Sequence, residues 1–563
     1  MRTPGAIIVP AALLCASLLP AQILNPAKLL APPTDTWPTY NGDYSGRRFS
    51  TLKQINAQNI GSLAISWMYR INVGAMRGVG QVQIKSTPLM VNGVLYFTVP
   101  DNVWAVDART GEEIWHYSWV DHGGHLLGNR GVGMYGNWLY FLSPDGWFIS
   151  LDAKDGKERW KVHVADAKLQ YFTTMAPLVI RNHVIVGVGG DAMDVPGYLE
   201  SRDPETGALQ WRWNTEPQPG EPGAETWPDK GAMEHGGGMT WLPGTYDPEL
   251  NLLYWGTGNP NPVYAGQGRK GSNLWTCSIV ALNPDTGKLV WYFQASPHDT
   301  HDLDDVETPV LFDGDFDGKP RKMLAQAARN GFFFVLDRTN GKSLVSKPFI
   351  GTNWAEGIAP NGEPIPNPKK DPQPDGTLLN MPPGGGTNWF PPSFNPETGL
   401  FYVNAHEGYS LAYLTDTDAK PQGYGGSGEN LFSRSVLKAL DYQTGEARWT
   451  HPFPGKGWAQ SGILNTAGKL LFSGDPSGNL IAWDPASGRI LWHSHLTAPV
   501  SNGPMTYTLD GRQYLIAGAG DTLYAFALAG PTLPPSSKIL LPATRGSEAA
   551  SPGDSRAEKS AAQ

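Results

Sequence analysis

One short pattern recurs along this chain: an acidic residue or Asn, a Gly four positions on, and in most copies a Trp after four more. The copies are DARTGEEIW (107–115), DAKDGKERW (152–160), DPETGALQW (203–211), NPDTGKLVW (283–291), DRTNGKSLV (337–345), DYQTGEARW (441–449) and DPASGRILW (484–492). All but the fifth end in Trp, and successive copies start 45, 51, 80, 54, 104 and 43 residues apart. Such a recurrence marks a repeated structural unit rather than a scattered motif. Each copy lies between two short alternating apolar runs, so each reads as a hairpin reversed by a tight Gly-containing turn. The Trp then falls on a fixed face of the following strand, where a ring of that size bridges to the neighbouring sheet. The spacings suit four-stranded blades with insertions in some loops. Trp67 in LAISWMYR (63–70) lacks the preceding turn, so this segment is expected to be the outer strand that joins the last blade. Counting Trp67 as the eighth docking position, the chain is expected to form an all-β, eight-bladed propeller. Its N-terminal and C-terminal strands would share one sheet.

Composition agrees. Among 563 residues there are 21 Trp, 67 Gly and 49 Pro, and only 17% are charged, a turn-rich all-β profile. A propeller grows by adding blades and stays one unit, so residues 35–528 are expected to be a single domain. A net charge of -9 gives no electrostatic footprint for nucleic acid. The first 21 residues carry one Arg and then an apolar run too short to span a membrane comfortably. They read as a secretory signal peptide, which makes the mature protein exported, with a periplasmic location expected. Residues 529–563, rich in Pro, Ser, Ala and charge, read as a disordered tail. Removing the signal leaves Cys277 as the sole cysteine, so no intrachain disulfide and no CxxCH haem attachment are available. Within LWTCSIVAL, Cys277 reads as a small hydrophobe on a buried strand.

The stretch from Glu234 to Glu307 includes EHGGGMTW, GTGNP and PHDTHDLDD. Together with WPTYNGDYSGRRFSTLKQIN (37–56), NRGV (129–132), AARNG (327–331) and GGTNW (385–389), it resembles the pyrroloquinoline quinone (PQQ)-dependent alcohol dehydrogenases. The resemblance runs over roughly residues 35–528. It implies an eight-bladed propeller with PQQ and a metal ion on its axis. By this resemblance Trp241 is the floor beneath the quinone, and Arg130, Thr174, Arg329 and Asn388 are further quinone contacts. Asn259 is implied as a metal ligand and Asp302 as catalytic base and metal neighbour. Arg329 is implied on the quinone's reacting carbonyl side, where fixed positive charge stabilises developing negative charge. Asp304 matches the pattern of members that use a lanthanide in place of calcium. Residues two apart on an extended segment face one side, so both carboxylates can meet one cation. The competing reading of HDTHDLDD is a solvated acidic loop.

Several positions depart from the family pattern. The family's vicinal disulfide, which caps the quinone, falls on Gly124 and His125, and its principal metal-binding Glu falls on Ala192. A quinone-contacting Glu falls on Lys85, and a Trp expected after Ala517 and Gly518 is missing. Two function classes follow. One is a periplasmic quinoprotein that oxidises a small alcohol on metal-bound PQQ and, lacking haem, hands electrons to a soluble cytochrome c. The other is a degenerate quinoprotein-like propeller with an empty site, of the kind known in an acidobacterial group, serving as an interaction or scaffold protein.

Other features carry plainer readings. His298 and His301 are expected in loop roles, since calcium and lanthanides prefer oxygen. DGDFDG (313–318) is expected as a hairpin turn rather than a calcium loop, because position 324 is Leu where a Glu is required. The Pro-rich segment 354–383 is expected to pack across one propeller face, as a partial lid or a passive excursion.

Overall fold

The computed structural model describes residues 23–73, 82–120, 123–190, 194–455 and 457–530. The expected signal peptide, Ala192 and all but the first two residues of the expected tail lie outside them.

The repeated motif explains the sheets. Leu89–Val91, Val94–Val99, Asn102–Asp107 and Glu113–Ser118 form an antiparallel sheet in chain order. The same four-strand order recurs over residues 133–163, 178–214, 245–294 and 310–348. Residues 377–452 form a sheet in which Leu400–Leu414 receives both Thr377–Leu379 and Ser393–Asn395. The last two sheets each borrow a strand from the N-terminal region. Phe49–Ser50 pairs in parallel with Leu464–Thr466, and Leu63–Arg70 pairs antiparallel with Thr522–Leu528, as expected from Trp67. Eight sheets of four or five strands are therefore present among the described residues, with a separate two-stranded ribbon of Ala355–Ile358 and Pro364–Pro366.

Each acidic residue that opens a motif closes its own turn. Asp107 Oδ1 accepts from the Arg109 amide at 2.7 Å while its carbonyl accepts from the Gly111 amide at 2.8 Å, and Asp152, Asp203 and Asp484 repeat both bonds. The Gly has two reasons to be there. Gly111 has φ +74°, and a Cβ on it would stand 2.5 Å from the Trp67 ring. The rings of Trp115, Trp160, Trp211, Trp291 and Trp449 lie equally close to Gly156, Gly207, Gly287, Gly341 and Gly488. Where the motif degenerates, Val345 and Lys347 lie against Gly445 instead.

Burial follows from this stacking of sheets. One apolar cluster joins Leu89, Leu139, Leu199 and Leu253, the next joins Tyr254, Leu324 and Phe401, and a third joins Leu400 and Leu471. A fourth takes Leu464 and Leu515 back to Leu95 of the first sheet. The stretch 313–318 is the hairpin between Val310–Phe316 and Lys319–Ala327, with the Gly318 amide donating to Asp315 Oδ1 at 3.0 Å.

Candidate functional site

Three loops are tied to one another before any side chain reaches the site. The Gly238 amide donates to the Asn259 carbonyl at 2.8 Å, and the Gly258 amide to the Met239 carbonyl at 2.7 Å, locking GGGM to TGNP. The Asn259 amide in turn donates to Asp304 Oδ1 at 2.7 Å. A Cβ on Gly258 would stand 2.7 Å from that same oxygen, so Gly gives the carboxylate its approach. The third loop is built by Asp299, whose two carboxylate oxygens accept from the His301 and Leu303 amides. Between them Asp302 takes φ 64°, the left-handed region that Asp tolerates better than most residues.

Arg329 joins the carboxylates. Its two terminal nitrogens donate to Asp302 Oδ2 at 2.7 Å and Asp304 Oδ2 at 2.9 Å, and its Nε to the Gly384 carbonyl at 3.0 Å. The Asp304 side chain is 1% exposed, that of Arg329 10% and that of Asp302 18%. Burial works against the guanidinium's charge, but Asp302, Asp304 and Glu307 outweigh it and hold its pKa above the ordinary Arg value.

Lys85, Leu127, Arg130, Phe172, Thr174, Trp241, Asp302, Asp304, Arg329, Trp389 and Tyr424 together line one cavity of about 240 Å³. The Arg130 guanidinium carbon sits 4.9 Å from the Trp241 ring centre and 5.2 Å from that of Trp389, within cation–π range. A terminal nitrogen of Arg130 donates to Thr174 Oγ1. Of the residues singled out in the sequence, Arg130, Thr174, Trp241, Asp302, Asp304 and Arg329 meet here. Asn259 stands behind Asp304. Asn388 is not among the lining side chains; its amide bonds the Gly384 carbonyl and the Trp389 amide. In place of the family's disulfide, the His125 ring packs edge-on to Phe172 at 5.2 Å, and Phe172 lines the cavity. Sequence reasoning missed Trp389, although its TNW motif was in view. Tyr424 lies in a Gly-rich stretch with no repeat signal.

Metal donors are few. No group of three or more His, Cys, Asp or Glu side chains suited to a metal occurs among the described residues. However, Asn259 Oδ1 is buried without a hydrogen-bond partner. That oxygen and those of the Asp302 and Asp304 carboxylates are hard donors of the kind calcium and lanthanides take. His298 Nδ1 and His301 Nε2 donate to the Gly271 and Lys370 carbonyls and are used in loop contacts. The Pro-rich segment therefore buttresses the Asp302 loop, through Lys370 and through Asp371, which accepts from Thr300 Oγ1 at 3.2 Å. Cys277 is fully buried, and burial pushes its thiol well above the usual range.

The family model for the glucose/ethanol/alcohol dehydrogenase beta-propeller domain (PQQ) matches residues 37–347. A second model, outer membrane protein assembly factor BamB, matches residues 433–530. The quinohemoprotein alcohol dehydrogenase of Comamonas testosteroni is 36% identical over 557 residues, which cover 88% of this chain and 77% of that protein. Its crystal structure matches with a TM-score of 0.81 at 34% identity, covering 91% of this chain and 83% of that one. The 1-butanol dehydrogenase (cytochrome c) of Thauera butanivorans is 33% identical over 559 residues, covering 88% of this chain and 78% of that protein. A europium-containing methanol dehydrogenase matches with a TM-score of 0.79 at 29% identity, covering 89% of this chain and 99% of that one.

Proposed function

The chain belongs to the PQQ-dependent alcohol dehydrogenase family, and on that footing we propose that it is an exported quinoprotein that oxidises a small alcohol using metal-bound PQQ. The observation that carries the reading is the convergence of Arg130, Thr174, Trp241, Asp302, Asp304 and Arg329 on one cavity. The eight sheets act as the blades of a closed propeller over residues 35–528, with the Trp rings docked on the following turns. The apolar clusters that return to the first sheet support this closure.

PQQ, when bound, supplies the acceptor for the hydride of the alcohol carbon, and a calcium or lanthanide ion supplies Lewis-acid polarisation. Trp241 offers the flat floor on which a planar ring stacks. Asp302 accepts the alcohol's hydroxyl proton at Oδ1 while Arg329 holds Oδ2, so the base is aimed as well as charged. Arg329 presents fixed positive charge where negative charge develops. Asn259, Asp302 and Asp304 would hold the cation. The electrons leave to a soluble cytochrome c, and the name of the Thauera relative is in keeping with such an acceptor. The location is the periplasm.

The competing reading, an empty propeller used as a scaffold, draws on Gly124 and His125 at the disulfide positions. A thermal-melt titration with PQQ, calcium and lanthanum, followed by a dye-linked alcohol assay, separates the two. Ligand at a hundred times its dissociation constant adds about 2.7 kcal/mol to the folded state. Stabilisation that needs quinone and metal together, with alcohol-dependent dye reduction, is expected. No shift with any combination would favour the scaffold.

A further inference from the structure

Lys85 and Arg130 are two cations lining the same partly buried cavity, and neither makes an ion pair among the described residues. Lys85 Nζ lies 5.8 Å from the centre of the Trp389 ring, which Arg130 also faces at 5.2 Å. The Lys85 ammonium donates to the Leu127 carbonyl at 2.7 Å, which uses one of its three N–H groups. Arg130 is 6% exposed, and its Nε is buried with no hydrogen-bond partner. The backbone makes room for the lysine: a Cβ on Gly128 would stand 2.7 Å from Lys85 Cδ. Like charges held together away from water repel, and a buried donor without a partner is costly. An anion between them would relieve both penalties.

We propose that Lys85 and Arg130 form a cationic clamp for a ring-edge carboxylate of the quinone, which makes Lys85 a cofactor-binding residue. This rests on reading the cavity as a quinone site. The logic is one of charge. Lys85, Arg130 and Arg329 outnumber Asp302 and Asp304 around the cavity, and PQQ is a tricarboxylate. An acid at position 85 would instead leave Arg130 with an internal counter-ion. Burial, and then the charge of Arg130, lower the Lys85 pKa to about 8, which still leaves the ammonium as the main form at neutral pH.

The test is isothermal titration of the purified chain with PQQ at neutral pH and fixed calcium, repeated with the PQQ trimethyl ester, which lacks the carboxylate charges. Lys85→Gln should weaken PQQ binding about tenfold, the size of one charge-assisted hydrogen bond. Lys85→Arg should stay near the wild type, and Lys85→Glu should lose more than Lys85→Gln. The ester should bind the wild type and Lys85→Gln alike. Equal PQQ affinity for wild type and Lys85→Gln, with both melting normally, overturns the clamp and leaves the quinone site standing. No PQQ binding by the wild type overturns both.

Discussion

The indole N–H of Trp241 donates to Asp304 Oδ2 at 3.2 Å. The Trp241 ring and the Asp304 carboxylate, both lining the cavity, therefore fix one another. Trp241→Phe keeps a flat ring but frees this bond, at an expected cost of about 1 kcal/mol in stability. Trp241→Ala should in addition remove most of the PQQ affinity. Denaturant melts and PQQ titrations of both variants separate the two effects.

Asp302 is the base. Asp302→Ala should lower kcat for dye-linked alcohol oxidation about 10²- to 10⁴-fold. The melt should remain close to wild type, because the side chain is partly exposed and Asp304 still pairs with Arg329. Unchanged turnover would place the base elsewhere.

Glu307 gives the fold a pH dependence. Burial, opposed by the charge of Arg329, pushes its carboxyl up to about 8 from an ordinary 4.5. Below pH 4.5 folded and unfolded chains both carry the proton, and the group's contribution is fully present. Between 4.5 and 8 the unfolded chain sheds a proton that the fold keeps, so stability falls by about 1.4 kcal/mol per pH unit, and the fall ends above 8. Burial raises Asp305 and Glu216 in the same direction. Glu307→Gln should therefore flatten the decline between pH 5 and 8 relative to wild type in urea titrations.

Gly111→Ala meets two obstacles at once, φ +74° and the Trp67 ring 2.5 Å from the new Cβ. The expected loss is about 2–4 kcal/mol, seen as a lower melting temperature. Gly318→Ala, at φ +71° with nothing within 4 Å, should lose only the backbone part.

The repeat made the sheets legible because one nine-residue pattern carries the turn chemistry of Asp107, the Gly111 that receives one Trp ring, and the Trp115 that docks on the next turn at Gly156. Even the lone Trp67 announced its strand, because it lacks the preceding turn of the other copies, and its ring does meet a motif turn at Gly111. The gathering of Asp302, Asp304 and Arg329 in one cavity was legible because each sits in a short distinctive run. Trp389 and Tyr424 were not, because what brings them to the cavity is the approach of loops distant in sequence, which leaves no periodic trace. Lys85 was visible only as a departure. Its meaning comes from Trp389 and Arg130 beside it, and no spacing along the chain encodes that neighbourhood.

The pairing of Leu63–Arg70 with Thr522–Leu528 also dictates when folding can finish. Beside that joint, the Ile55 amide donates to Gln513 Oε1, 458 residues away along the chain. A loop of that size closes at an entropic cost that grows only slowly with length, so the difficulty is one of order rather than energy. A chain emerging N-terminus first has to keep the edge of Leu63–Arg70 unpaired until its last strand has appeared. During that interval an apolar strand edge is open to other chains. The joint that completes the fold is thus also the place where a nascent molecule is most exposed to aggregation.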